Sequence, residues 1–195
     1  METKLRLERM NYNDEIIKYF DGDSYRYFIF IRTYSRWLDD KKRRETWEEV
    51  IDRYVSFMKK RLGRKLSAEE YQEVKEAILY QNVMPSMRLL WCAGEAAEKN
   101  EAAVYNCSFM AINKLVRFRE MLFLLCSGCG VGFSVEQHVI DNLPPVERQT
   151  GNRLPTFVIQ DSREGWADAL HAGVTAWFDG NDVDFDFSKI RPLGS

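Results

Sequence analysis

The sequence has no long hydrophobic run, little cysteine or histidine and no dominant sign of charge, and each shortage removes a class of protein. No apolar stretch approaches the roughly 20 residues that a membrane-spanning helix requires, so no membrane partner is expected. The first twenty residues, METKLRLERMNYNDEIIKYF, are charged throughout and lack the apolar core and small-residue cleavage site of a signal peptide, which points to a cytoplasmic chain. Only 4 cysteines in 195 residues are too few for a disulfide scaffold. The 28 Lys and Arg against 30 Asp and Glu leave a net charge of -2, which provides no global field to recruit nucleic acid directly. The 2 histidines, His138 and His171, stand apart, with nothing nearby to complete a triad, and no metal site is expected. Internal repeats and low-complexity tracts are absent.

What is present is core material. At 45% hydrophobic and 13% aromatic, the chain can bury one domain, or a large and a small one. In RRETWEEVIDRYVSFMKK the residues Trp47, Val50, Ile51, Tyr54, Val55 and Met58 recur at spacings of three and four, one face of an amphipathic helix capped by Thr46. A second helix starts at Ser67, with Glu70 completing a capping box, and runs to about Asn82. Residues 1–82 therefore read as a helical region and 83–195 as a second one of different character. The basic run KKRR at residues 41–44 is flanked by acids and reads as a solvated turn.

After Pro85 the pattern shifts. AVYNCSFMAI is a strand-length apolar run, LVRFREMLFLLCSG has helical spacing through Leu115, Phe118, Met121, Leu122 and Leu125 and ends at Gly128, and GVGFSVEQHVI reads as a strand. Strand, helix and strand in about 35 residues is the size of a parallel crossover unit, hence an α/β sheet or barrel. DNLPPVERQTGNRLP reads as a loop and TFVIQ as a strand. DSREGWADALHAGVTAWFDG reads as a helix capped by Asp161 or Ser162 and ended by Gly180, and VDFDFSKIRPLGS as a closing strand-like run.

The chemistry-bearing motifs are ambiguous taken singly. SGCGVGF has glycines between a helix and a strand, the reverse of the order in a dinucleotide-binding turn, which leaves tight packing or close approach to a ligand. Cys126 and Cys129 form a C-x-x-C that follows a helix, whereas a thioredoxin-like pair opens one, and no second pair completes a zinc site. Cys126 is expected to be a buried, inert thiol, and Cys129 stays open. Cys107, between Asn106 and Ser108, is by residue pattern alone a core thiol or a redox residue.

The collinear series RTYSRWL, TWEEVIDRYV, MPSMRLLWCAG, YNCSFMAI, LLCSGCGVGFSVE, QDSREGWADAL and FDFSKIRPLGS resembles the amino-terminal portion of an adenosylcobalamin-dependent (class II) ribonucleotide reductase. The resemblance implies an α/β fold: a small helical region followed by the first strands and helices of a ten-stranded α/β barrel, incomplete here. It implies radical reduction of ribonucleotides to 2′-deoxyribonucleotides, in which Cys107 is one of two cysteines that reduce the ribose and finish as a disulfide. Its partner cysteine, the radical cysteine and the cobalamin contacts are expected outside this chain.

The same resemblance places the substrate phosphate at Ser86 and the Met84 backbone, the ribose at Asn106, and the nucleotide against the backbone of Gly130. A deoxynucleoside triphosphate effector falls at Asn113 and Lys114. The expected partners are a ribonucleotide, a carboxy-terminal reductase fragment and a thioredoxin-like or dithiol reductant. The chain reads either as one piece of a split enzyme or as a truncated fragment acting as an interaction or regulatory module.

Overall fold

The computed structural model describes residues 12–194. Residues 1–11, on which most of the signal-peptide reading falls, lie outside the described residues, as does Ser195. The chain divides between Val104 and Tyr105 into two compact units.

The first unit is helical: α1 (Tyr12–Phe20), α2 (Ser24–Thr33), a two-residue hairpin β1 (Trp37–Leu38) and β2 (Arg43–Arg44), α3 (Trp47–Leu62), α4 (Ala68–Leu79), α5 (Met87–Cys92) and α6 (Glu95–Lys99), with 3-10 turns at Gly63–Lys65 and Glu101–Val104. The expected caps are in place: Thr46 with Glu49, and Ser67 with Glu70, form reciprocal capping boxes at the starts of α3 and α4. The predicted apolar face of α3 is the one that is buried, with Phe57 added to it. Phe20, Phe30 and Trp47 form the aromatic centre, their ring centroids 5.3 to 5.7 Å apart, and the Trp47 indole N–H donates to the Leu79 carbonyl at 2.9 Å.

The sequence boundary at 82/83 falls earlier than the division in the structure. The reason is that residues 83–104 complete the helical core: Leu90, Cys92, Ala93 and Ala97 are fully buried within it. Arg53 of α3 fixes this segment. Its guanidinium pairs with Glu45 at 2.8 and 3.0 Å and donates to the carbonyls of Leu90 (3.2 Å), Ala93 (2.8 Å) and Tyr34 (3.3 Å). The basic run also has an internal use: Lys41 and Arg43 both bind Glu49, whose carboxyl is held down at about 2 chiefly by the Arg43 hydrogen bonds.

The second unit consists of two strand–helix–strand crossovers, β3 (Cys107–Ala111), α7 (Val116–Cys126), β4 (Gly130–Ser134) and then β5 (Asn152–Val158), α9 (Arg163–Phe178), β6 (Asn181–Asp186), with the short α8 (Gln137–Ile140) between. Both strand pairs are parallel. The strand β5 starts earlier than TFVIQ and takes in part of the expected loop. Pro155, which cannot donate to a ladder, is accommodated by a register shift between Leu154 and Phe157. Of the two cap candidates for α9, Ser162 accepts from the Gly165 N–H at 2.9 Å. Gly180 ends that turn at φ 72, and a Cβ there would lie 2.4 Å from the Arg148 carbonyl oxygen. An Arg119–Asp168 ion pair joins α7 to α9.

Two outcomes follow for stability. Arg53→Met leaves the Glu45 carboxylate buried without its cation, and urea unfolding is expected to show a loss of about 3–5 kcal/mol. Glu15, 8% exposed, accepts from the Trp47 backbone N–H and the Tyr27 hydroxyl, and burial pushes its pKa upward. A carboxyl with a raised native pKa contributes most when protonated, and that contribution fades as pH climbs through the native value. Glu15→Gln should therefore gain on the unmodified protein between about pH 4 and about pH 7 in paired unfolding curves; parallel curves would show that the native pKa of Glu15 is not raised.

Candidate active site

The parallel pairing of β3 with β4 sets Cys107 opposite Gly130 as the first register pair of the sheet. Just before it, the Gly130 N–H donates to the Asn106 carbonyl at 2.8 Å, so Asn106, Cys107 and Gly130 meet at one end of two adjacent strands. The Cys107 thiol is exposed and in no disulfide. Nothing in the spacing marks Ser108, yet its hydroxyl donates to the Gly130 carbonyl at 3.3 Å and adds a second tie across the same pair.

The glycines of SGCGVGF separate into different tasks. Gly128 closes α7 at φ 85, Gly132 lies under the Phe109 ring, and Gly130 does neither. A Cβ on Gly130 would meet only the Asn106 carbonyl oxygen, at an ordinary 3.5 Å, and its φ is not left-handed. Packing within this chain therefore tolerates a larger residue there. What glycine does provide is an open approach to the backbone beside Cys107.

The remaining thiols do not join this group. Cys126 is exposed, correcting the expectation that it is buried: it is the last residue of α7, and the burial at that turn goes to Ser127, which bonds back to the Phe123 carbonyl at 2.8 Å, and to Cys129 at 2% exposure. Cys92 is fully buried, its thiol donating to the Ala103 carbonyl at 3.2 Å, and burial pushes its pKa up. Among the described residues no cluster of three or more His, Cys, Asp or Glu could hold a metal ion, and none of the helices is long and apolar enough to cross a membrane.

The other expected contacts are distributed. Met84 and Ser86 belong to the first unit; Met84 is half exposed, and Ser86 precedes α5 with its hydroxyl making no capping bond. Asn113 and Lys114 lie in the β3–α7 turn, where the Asn113 side-chain oxygen is buried with no hydrogen-bond partner among the described residues and Lys114 is exposed. An apolar cavity of about 320 Å³ opens between α7, α9 and β6, lined by Leu122, Trp166, Leu170, Val174, Phe185 and Phe187 among others.

Comparison with known proteins places the chain among relatives. The family model of the ribonucleotide reductase alpha domain matches residues 9–95. Adenosylcobalamin-dependent ribonucleoside-triphosphate reductases from Euglena gracilis and Lacticaseibacillus paracasei are 29% and 32% identical, over 86% and 73% of this chain. The chain is related to the adenosylcobalamin-dependent ribonucleotide reductases.

It spans about a quarter of those relatives, 25% and 23% of their lengths. A crystal structure of a B12-dependent (class II) ribonucleotide reductase superposes with a TM-score of 0.72 at 24% identity, covering 87% of this chain and 33% of the other. The fold is thus that of a class II reductase over the part this chain covers, and its small parallel sheets are consistent with part of the α/β barrel that the resemblance implies.

One outcome isolates the open approach at Gly130. Gly130→Ala is expected to change unfolding stability by less than about 1 kcal/mol, because the new methyl meets only an ordinary contact. A large destabilisation would show that glycine is needed here for packing.

Proposed function

We propose that this chain supplies the substrate-side wall of a ribonucleotide reductase, with Cys107 as one member of the thiol pair that reduces the ribose. The observation that carries the reading is the parallel register that holds an exposed, unpaired Cys107 thiol beside the open backbone of Gly130. A sheet-borne thiol is held to a small range of positions, which proton and electron delivery to one carbon of a sugar demands.

In this role Cys107 donates its proton to the departing 2′-hydroxyl, which leaves as water. The two thiols of the pair together give up two electrons and two protons and become a disulfide, which a dithiol or thioredoxin-like reductant resets. The Asn106 side chain contacts the ribose, and Ser86 with the Met84 backbone receives substrate phosphate. The buried, unsatisfied Asn113 oxygen and the exposed Lys114 ammonium support a place for a deoxynucleoside triphosphate effector at the β3–α7 turn. We place the chain in the cytoplasm, where a thiol that must begin each turnover reduced is maintained in that state.

The relatives' names call for adenosylcobalamin, which supplies the radical that starts the chemistry. Its contacts are assigned to the remaining reductase polypeptide, because the apolar cavity between α7, α9 and β6 does not suit it. The apolar cavity is lined by hydrocarbon and aromatic side chains and would leave the amide groups of a corrin rim without hydrogen bonds. The substrate is read as a ribonucleoside triphosphate, following the named relatives.

The test combines this chain with the carboxy-terminal remainder of the reductase, adenosylcobalamin, a ribonucleoside triphosphate and a dithiol, and measures deoxynucleotide formed. Cys107→Ser is expected to reduce turnover to background while Cys126→Ser leaves it within about twofold. Turnover that survives Cys107→Ser sinks the assignment and favours a binding or regulatory role for the chain.

A further inference from the structure

Strand alternation leaves the β3–β4 sheet with one face that is almost bare. Cys107 and Phe109 of β3 point to the same side, because side chains two positions apart share a face. Their register partners on β4 are Gly130 and Gly132, which have no side chains. The first two same-face rungs therefore carry one thiol, one aromatic ring and otherwise only backbone. Ser108 and Met110, on the opposite face, are partly buried, whereas Cys107 is exposed and Phe109 is 70% exposed.

The ring is placed although it is exposed. A Cβ on Gly132 would lie 3.4 Å from Phe109 Cδ2, so the ring leans across from β3 and rests over the Gly132 backbone. It leaves Gly130 clear, since a Cβ there would meet the Asn106 carbonyl oxygen and no atom of Phe109 within 4 Å. The strip of backbone beside Cys107 is thus open over Gly130 and closed at Gly132, about 6.6 Å further along the strands.

We propose that Phe109 is the wall that seats the ribose over the Cys107 thiol. The sugar lies on the backbone of Gly130 with carbon-bound hydrogens against the ring, a surface that suits the apolar edge of a sugar and offers its hydroxyls no partner. The ring stops the ligand from sliding along the strands toward Gly132. Such a stop matters because a thiol fixed on a strand cannot follow a displaced hydroxyl, and a misplacement of about 1 Å costs on the order of a hundredfold in rate. Phe109 takes this part only if Cys107 faces the ribose, so the assignment rests on the reductase reading and adds to it a residue that fixes where the sugar sits.

The test uses the chain combined with the carboxy-terminal remainder of the reductase and takes two readings. With adenosylcobalamin, CTP and a dithiol, Phe109→Ala is expected to lower kcat about a hundredfold while KM changes by less than about threefold; Phe109→Leu, which restores an apolar wall, should keep kcat within about threefold. Without turnover, alkylation of Cys107 by iodoacetamide is followed by peptide mass spectrometry with and without CTP. The nucleotide should slow alkylation about tenfold in the unmodified and Phe109→Leu proteins but less than about twofold in Phe109→Ala, where it still binds and no longer sits on the thiol. Protection retained in Phe109→Ala, or a kcat that stays within about threefold, overturns the proposal and assigns the ring to a contact with the remaining polypeptide. No protection of Cys107 in the unmodified protein overturns the reductase reading of that thiol together with it, so the two failures are told apart.

Discussion

Two parallel strands cannot be joined by a tight turn, and the second unit is arranged around that restriction. The segment between Ala111 and Gly130 has to run back along the sheet, and α7 is the element that does it. The returning strand then enters in the same direction as the first, so its first residue stands beside the first residue of its partner. Cys107 and Gly130 are neighbours for this reason, though more than twenty positions separate them in sequence. The same restriction acts again between β5 and β6 through α9, and the Arg119–Asp168 pair then links the two crossover helices to each other.

The first unit meets a different constraint, which is how to hold short helices that lack the length to be stable alone. Helices of five and six residues, such as α6 and α5, are far below the length at which isolated helices persist. Arg53 solves this by binding carbonyls at the end of α5, where no backbone donor of the helix can reach, while Glu45 offsets its charge. The buried Leu90 and Cys92 then seal the segment onto the aromatic centre of Phe20, Phe30 and Trp47. A charged group at 15% side-chain exposure is tolerated here because nearly every donor it carries has an acceptor.

Local chemistry was legible in the sequence wherever a side chain acts on its own backbone. Thr46 and Ser67 cap the helices they were expected to cap, and Ser162 is the one of the pair Asp161 or Ser162 that does so, because a cap depends on residues three positions away. Periodicity likewise located the strand at Cys107 and the helix behind it. What could not be read was decided at longer range. The α5 and α6 segment joins the helical core through Arg53, some forty positions earlier, and no local pattern announces that partner. The end of the expected loop, through Pro155, is strand, and the register slip beside that proline lets β5 continue. Cys126, expected to be buried, is exposed, and Cys129, left open by the sequence, is buried, since the turn after α7 points one thiol outward and the other inward.

The candidate site was legible only through the resemblance of several segments in order, and the structure explains why. A thiol flanked by Asn106 and Ser108 at the start of a strand has the same local pattern whether it serves the core or a substrate. The distinguishing facts are the exposure of Cys107 and the absence of any packing need for glycine at position 130. Both depend on a strand supplied from beyond a helix. A buried cysteine with a raised pKa, as at Cys92, shows the alternative within the same chain: desolvation protects the thiol from reaction and lends it to the core. The difference between these two cysteines is therefore set by what faces them across the fold, and the parallel pairing of β3 and β4 leaves one side of Cys107 open.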